Sequence, residues 1–395
     1  MVTRTVVYPL DLLDEQEKLL RSTVNLYTKS WNYCVDVAWS ARGISKKDLH
    51  NATYYLVREK FGLKSQYTCS SRDRALESVR SARALESRGK KVSKPCAKSV
   101  PLRLDKNTFS FKNDREAVVV TTQGKRIEIE LTWHRQAARY RDWMCISGEI
   151  GFDRWGKPVL RLFFTKEPIL HERTGFVIGA DRGIKRPVVL SINRFYGKAC
   201  WKEHERRLLS LISRLQSQGT KSAKKHLRRV WRRLRLFREN CDRVMAKEII
   251  KLLQPGDTIV LEDLKNIRDR CGAKGKVRKK HRAKVGRWSF NRLELWLRYY
   301  AELEGVFVET VSAHNTSREC SRCGVVSKNN RKSRSFYVCS CGLNLNADLN
   351  AARNIANRWC EASGGASGSN VNRPIVAGAM LSAPSYKPLN SFRGS

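Results

Sequence analysis

CSRCGVVSKNNRKSRSFYVCSCGLNLNADLNAARNI, residues 320–355, holds two cysteine pairs, Cys320/Cys323 and Cys339/Cys341, and runs on into an aspartate, Asp348. Four thiolates at this spacing read as a structural zinc ribbon. An acid set directly after a metal knuckle, in a strongly basic chain, reads as a carboxylate delivered to a fixed place beside nucleic acid. The plainer reading of Asp348 is the N-cap of the helix that follows.

Outward from this stretch, composition narrows the function classes. The chain has 395 residues, room for two or three domains, and 41% hydrophobic residues, enough for true cores. It carries 78 Lys+Arg against 37 Asp+Glu, a formal net charge of +41. Such an excess favours a polyanion, whose released counterions drive sequence-independent binding. A membrane partner is disfavoured: no apolar run is long enough to span, and no terminal amphipathic anchor is evident. The opening residues, MVTRTVVYPLDLLDEQEK, lack a secretory signal, which predicts a cytoplasmic, nucleoid-associated protein. The eight other cysteines (Cys34, Cys69, Cys96, Cys145, Cys200, Cys241, Cys271, Cys360) show no pattern and read as free thiols.

Periodicity sets the organisation. Residues 2–10 read as a strand, and 14–40 as an amphipathic helix with Leu20, Val24, Tyr27, Trp31, Val35 and Ala38 on one face. Residues 41–100 read as helical pieces broken near Gly43 and Gly62. From 101 the period falls to two. In KRIEIELTW, Ile127, Ile129, Leu131 and Trp133 face one way, after a turn at Gln123-Gly124, and 158–168 forms another strand. This is an antiparallel sheet or small barrel. GFVIGADRGIKRPVVLSI (175–192) reads as strand, glycine turn, strand. Residues 201–253 read as helix, with one apolar stripe at Leu208, Leu211, Ile212 and Leu215. A second stripe takes in Leu227, Val230, Trp231, Leu234, Cys241, Val244, Ile249 and Leu252. Arg228, Arg229, Arg232, Arg233 and Arg235 fall on the outer face, as a solvated surface or a phosphate-contacting one. A buried strand at 257–267, a basic loop containing Lys279 and Lys280, a helix and a strand lead to the ribbon.

Three acids end apolar segments: Asp181 after FVIGA, Glu262 after TIVL, and Asp348 after the ribbon. Singly, Asp181 caps a turn and Glu262 opens a loop. Together they match what two-cation phosphodiester hydrolysis needs, hard oxygen ligands converging from different elements. A charged group at the end of a buried strand is otherwise costly.

GADRGIKRPVVLS, VLEDLKNI, TSRECSRCG and NADLNAARNI resemble the signature segments of the TnpB (OrfB-type) proteins of insertion sequences, and are similar to the small type V CRISPR effectors. The resemblance is strong over 175–358 and weaker over 1–174. It implies a multi-domain α/β (α+β) protein. Residues 1–10 and 101–172 would form an oligonucleotide-binding-like β-barrel wedge, and 11–100 a helical recognition domain. An RNase H-like, RuvC-type nuclease domain would cover 173–313 and 343–359, with a zinc ribbon inserted at 314–342. Residues 360–395 would be a disordered tail. It further implies Asp181, Glu262 and Asp348 as ligands of two Mg (or Mn) ions, and Cys320, Cys323, Cys339 and Cys341 as ligands of one Zn. Arg228, Arg229, Arg232, Arg233, Lys279 and Lys280 are candidate nucleic-acid contacts, with Trp31, Tyr54, Tyr55 and Tyr67 as candidate base contacts. The implied activity is RNA-guided DNA cleavage. The guide RNA comes from the protein's own element, the DNA is double-stranded and carries a short flanking motif, and one monomer sits on one RNA. A type V effector and a non-cleaving guide-dependent repressor are the alternatives. Two departures stand out. Cys339-Ser340-Cys341 is one residue shorter than C-x-x-C, with His314 a conceivable substitute ligand. Arg182 stands where an apolar residue is common, and either touches substrate or faces solvent.

Overall fold

The computed structural model describes residues 2–363, leaving aside 169–170, 174–175, 266, 268–284, 287, 289 and 334. Lys279, Lys280, Cys271 and the tail beyond 363 lie outside the described residues. The chain divides into two compact units, Met1–Glu167 and Pro168–Ser395.

In the first unit, strand β1 (Val2–Pro9) leads into helices α1 (Asp14–Ser40), α2 (Lys46–Phe61) and α3 (Ser65–Glu86). Ser45 caps α2 by accepting from the Asp48 N–H at 3.1 Å, and Gly62 ends it at φ +61°. Strands β2 (Leu102–Leu104), β3 (Phe109–Lys112), β4 (Ala117–Thr121), β5 (Arg126–Glu130), β6 (Met144–Phe152) and β7 (Pro158–Lys166) follow. They form two antiparallel sheets rather than a single ladder: β1-β7-β6-β2 and β3-β4-β5. Both line one core with the helices. The alternation in β5 is realised, with Ile127 and Ile129 buried and Glu128 and Glu130 exposed. Trp31 and Tyr67, two of the candidate base contacts, are buried in this core, where the Tyr67 hydroxyl donates to the Thr121 carbonyl at 2.6 Å. Tyr55 is the exposed one.

The second unit is built on a mixed sheet. Strands β8 (Val177–Asp181), β9 (Val188–Leu190) and β10 (Arg194–Tyr196) make an antiparallel meander. The paired helices α4 (Ala199–Gln218) and α5 (Lys221–Ile250) follow. Strand β11 (Thr258–Asp263) then pairs parallel with β8, helix α6 (Phe290–Glu304) crosses over, and β12 (Phe307–Ser312) pairs parallel with β11. The order is β10-β9-β8-β11-β12. A short hairpin of β13 (Phe336–Val338) and β14 (Asn344–Asn346) precedes the last described helix, α7 (Ala347–Ala362). This helix runs three residues past the expected boundary at 359. Strand β8 is buried on both faces, with α5 and α6 covering one and α7 the other.

The α4–α5 hairpin has its own small core of Leu208, Ile212, Leu215, Ala223, Val230 and Leu234. Gly219 at φ +64° makes its turn and Thr220 caps α5, accepting from the Ala223 N–H at 3.1 Å. Trp231, expected in this stripe, is instead 39% exposed, because it stands at the edge of the seam. The charged side of the helix is as anticipated: Arg228, Arg229, Arg232, Arg233 and Arg235 are exposed.

Candidate active site and metal centre

The site begins with sheet register. Leu261 of β11 lies beside Ala180 of β8, and the two strands are parallel. The next residue on each, Glu262 and Asp181, therefore emerges at the same carboxyl end, where α/β sheets present their ligand sites. The two carboxyl groups are close enough to perturb each other's titration.

The third acid arrives by way of a glycine. A Cβ on Gly179 would lie 1.9 Å from the Ala352 carbonyl oxygen and 2.8 Å from the Ala356 nitrogen, so α7 lies with its backbone against β8. Ala351, Ala352, Ile355 and Ala356 keep that face of α7 thin and apolar. Asp348 is one helical turn before Ala352, and Asp181 two residues beyond Gly179. The Asp348 charge raises the Asp181 pKa, which places the start of α7 over the same sheet end. Asp348 is not the cap of α7. Asn346 is, accepting from the N–H groups of Asp348 and Leu349 at 3.0 and 3.3 Å. That cap leaves the Asp348 carboxylate available for other partners.

Burial governs the electrostatics. Asp181 is held well above the ordinary carboxylate range, first by desolvation and then by the charge and hydrogen bond of Glu262. Burial also raises Glu262, against the hydrogen bond from Asp181, the Arg182 charge, a hydrogen bond from Thr316 and the Arg331 charge. Two cations flank the third acid: Arg331 Nη2 is 3.3 Å from Asp348 Oδ1, and Arg186 Nη1 is 3.9 Å from Oδ2. Arg331 comes from the ribbon, so the ribbon reaches into the acid site. This contact carries no local sequence signal and was not anticipated.

Arg182 does not face solvent. Its side chain is fully buried, with Nη1 donating to Glu294 Oε2 at 3.0 Å and to the Phe290 carbonyl at 3.2 Å. Nη2 donates to the main-chain carbonyl of Glu262. The guanidinium thus ties α6 to the strand end that carries Glu262.

The four cysteines converge. Cys320 and Cys341 sulfurs are 3.6 Å apart, as are those of Cys323 and Cys339, and all four lie within 4.8 Å of one another. A tetrahedron with Zn–S bonds of about 2.3 Å needs sulfurs roughly 3.8 Å apart, so the cluster fits one zinc ion. The short Cys-Ser-Cys knuckle closes because Gly342, at φ +82°, turns the chain so that its N–H donates to the Cys339 carbonyl at 3.1 Å. The thiols titrate as a group: the backbone N–H of Cys341 lowers Cys339, while the crowding of the other sulfurs raises Cys323. His314 is not in the cluster. The three acids do not draw together to the spacing of the cysteines. Among the described residues, the cysteines are the only group of three or more with ligand atoms so close.

A row of asparagines joins ribbon to helix. Asn350 accepts from the Ser321 N–H at 3.0 Å and donates to the Glu319 carbonyl at 2.6 Å. Asn354 donates to the Thr316 and Glu319 carbonyls, each at 2.8 Å. Both are buried, and they occupy successive turns of the face that meets residues 316–321. The repeat of Asn at 346, 350 and 354 was the available signal.

Residues 290–355, from α6 through the ribbon into α7, match the Cas12f1-like TNB domain family. The chain is 34% identical over 123 residues to a CRISPR-associated endodeoxyribonuclease Cas12f1 of Sulfoacidibacillus thermotolerans, covering 30% of this chain and 27% of that protein. It is 30% identical over 171 residues to a TnpB-like protein of Aquifex aeolicus, covering 41% and 54%. These matches span about a quarter and about half of the relatives' lengths. In fold, the chain is similar to Cas12f1 in a complex with sgRNA and target DNA, with a TM-score of 0.60 at 15% identity over 87% of this chain and 82% of the other. It is also similar to the mini RNA-guided endonuclease Cas_phi3, with a TM-score of 0.51 at 11% identity over 90% and 92%. The structural likenesses agree on a multi-domain α+β fold. In sequence, the chain is similar to TnpB-like proteins and to the small type V CRISPR effector Cas12f1.

Proposed function

We propose that the chain is an RNA-guided DNA endonuclease that hydrolyses phosphodiesters at the Asp181–Glu262–Asp348 site. The observation that carries this reading is the convergence of three carboxylates, from two neighbouring strands and a helix, at one sheet end. Burial raises the pKa of two of them, and the Glu262 charge raises Asp181 further. Such a group of acids is costly when empty and is relieved by cations. Magnesium or manganese bound there would supply electrophilic activation of water and of the leaving oxygen. The chain's own residues set the geometry. Asp181 and Glu262 are fixed by sheet register, Asp348 by the fit of α7 on Gly179, and Glu262 further by Arg182.

In this reading the second unit is a RuvC-like nuclease domain with a zinc-binding ribbon at Cys320, Cys323, Cys339 and Cys341. The first unit is the wedge and recognition part. Base pairing to the guide reads sequence, while the protein holds heteroduplex shape and a short flanking motif. Exposed arginines on α5 would hold nucleic-acid backbone. The insertion-sequence and CRISPR settings share this chemistry, and the neighbouring DNA, transposon end or repeat array, separates them.

The test is cleavage of a guide-matched duplex by the purified RNA–protein complex, with and without EDTA and with Asp181→Ala. Both treatments should abolish cutting and leave DNA binding intact. Cutting by the Asp181→Ala complex at the wild-type rate refutes the site. A wild-type complex that binds and never cuts, with Mg or Mn present, favours the repressor reading.

A further inference from the structure

Between Arg206 and Arg238 the α4–α5 hairpin carries twelve Lys+Arg and no Asp or Glu. Arginines near its base are neutralised, Arg206 and Arg207 by Glu203 and Arg238 by Glu205. Those further out behave differently: Arg228, Arg229, Arg232, Arg233 and Arg235 are exposed and form no ion pair among the described residues. Five uncompensated guanidiniums on one helix repel one another, and a polyanion is the partner that offsets them.

Trp231 lies within this field. With 3.6 residues per turn, its surface neighbours on α5 are Leu227 and Leu234 on one side and Arg228 and Arg235 on the other. A tryptophan that merely closed the helix–helix seam would be as hidden as Val230 and Leu234, which are 4% and 1% exposed, whereas Trp231 is 39% exposed. An indole face open to water between two guanidiniums, roughly 10 Å apart along the axis, is a stacking platform flanked by phosphate contacts.

We propose that the outer half of the α4–α5 hairpin binds an unpaired segment of RNA, with one base stacked on Trp231 and the phosphates on either side held by Arg228 and Arg235. A paired duplex offers the indole nothing but its terminal base pair, because its bases already stack on one another. Folded RNA routinely presents splayed, unpaired bases beside dense phosphate. This goes beyond general backbone contact by naming the base-binding residue and the unpaired character of its ligand. It rests on the RNA-guided reading above.

The probes are three labelled nucleic acids bound by the full-length protein: a two-stranded RNA duplex with a single-stranded purine tail, the same duplex blunt-ended, and the duplex with a DNA tail. Trp231→Ala should weaken the RNA-tailed probe about tenfold, the effect of one lost stacked base, and change the blunt duplex far less. Trp231→Phe should retain most of the affinity. Trp231→Leu, which keeps an apolar contact at the seam but has no π-face, should behave as Ala and guards against a mere folding defect. Arg228→Gln with Arg235→Gln should weaken the tailed probe and reduce the slope of log affinity against log salt by about two.

Equal binding of the RNA-tailed probe by Trp231→Ala, Trp231→Leu and wild type overturns the proposal. So does a loss that is the same for tailed and blunt probes, or a DNA tail that shows the full tryptophan dependence in place of RNA. Wild-type protein that binds no RNA sinks the RNA-guided reading itself. A wild type that binds RNA without using Trp231 sinks only this inference.

Discussion

Asp181 shows how a single side chain trades stability for a site. Its carboxyl is raised by burial and by Glu262, so without cations the native protein binds a proton that the unfolded chain, with a pKa of about 3.9, gives up. Between the unfolded and the native pKa the native state holds more protons, and stability therefore falls as pH rises. Asp181→Asn removes that loss. In chelator, melting of wild type from pH 5 to pH 8 should fall more steeply than that of Asp181→Asn, and the variant should be the more stable at pH 8, though unable to cut. Parallel melting profiles would contradict the burial argument. The residue scale is also where the sequence misleads most. Arg182 has its partner Glu294 more than a hundred residues away, so nothing local marks it as buried. Its removal as Arg182→Leu leaves Glu294 half-satisfied and frees the Glu262 carbonyl. That should cost about 3 kcal/mol and reduce cleavage, with Glu294→Leu in the same chain recovering stability in a double-mutant cycle.

Helix α7 is the element on which the site depends. Gly179→Ala would place a methyl carbon within bonding distance of the Ala352 oxygen, and α7 must shift or detach. A cost of about 3 kcal/mol is expected, with cleavage lost through displacement of Asp348 even at temperatures where the protein stays folded. Denaturant melts paired with cleavage assays check both parts. Asn354→Leu, which strands the Thr316 carbonyl and leaves the Glu319 carbonyl to Asn350 alone, should cost about 1–3 kcal/mol and loosen the ribbon from the helix. Elements were the most legible scale. Apolar runs such as Thr258–Leu261 and the period of α1 announce themselves, because burial imposes a local rhythm. Strand β10 escaped notice, being three half-buried residues with no such rhythm. Asp181 and Glu262 were legible as candidates for the same reason, each ending an apolar run, and Asp348 for its place just after the ribbon. Their convergence was not, since it depends on register between strands and on a glycine whose role appears only when a helix lies across it.

At the scale of the whole molecule, charge and metal are separable. A chain at +41 should lose nucleic-acid affinity steeply between 50 and 200 mM salt, whereas the dependence of cutting on divalent cation should persist. Zinc removal is expected to act differently from removal of the hard cations. A chelator selective for zinc should release the ribbon, withdraw Arg331 from Asp348 and lower the melting temperature. Chelation of magnesium alone should stop cleavage with the fold intact. No described helix is long and apolar enough to cross a membrane. The composition thus suggested the kind of partner, while the order of strands in each sheet came only from the structure.

The closeness of α7 to β8 also bears on the timing of synthesis. Asp181 and Glu262 leave the ribosome well before Asp348, and α7 follows every strand of the five-stranded sheet it packs against. A nascent chain can fold its first unit and lay down the whole five-stranded sheet while the three-acid cluster is still short of one member. Synthesis through α7 is thus a built-in delay between forming the sheet and completing the cluster at its end.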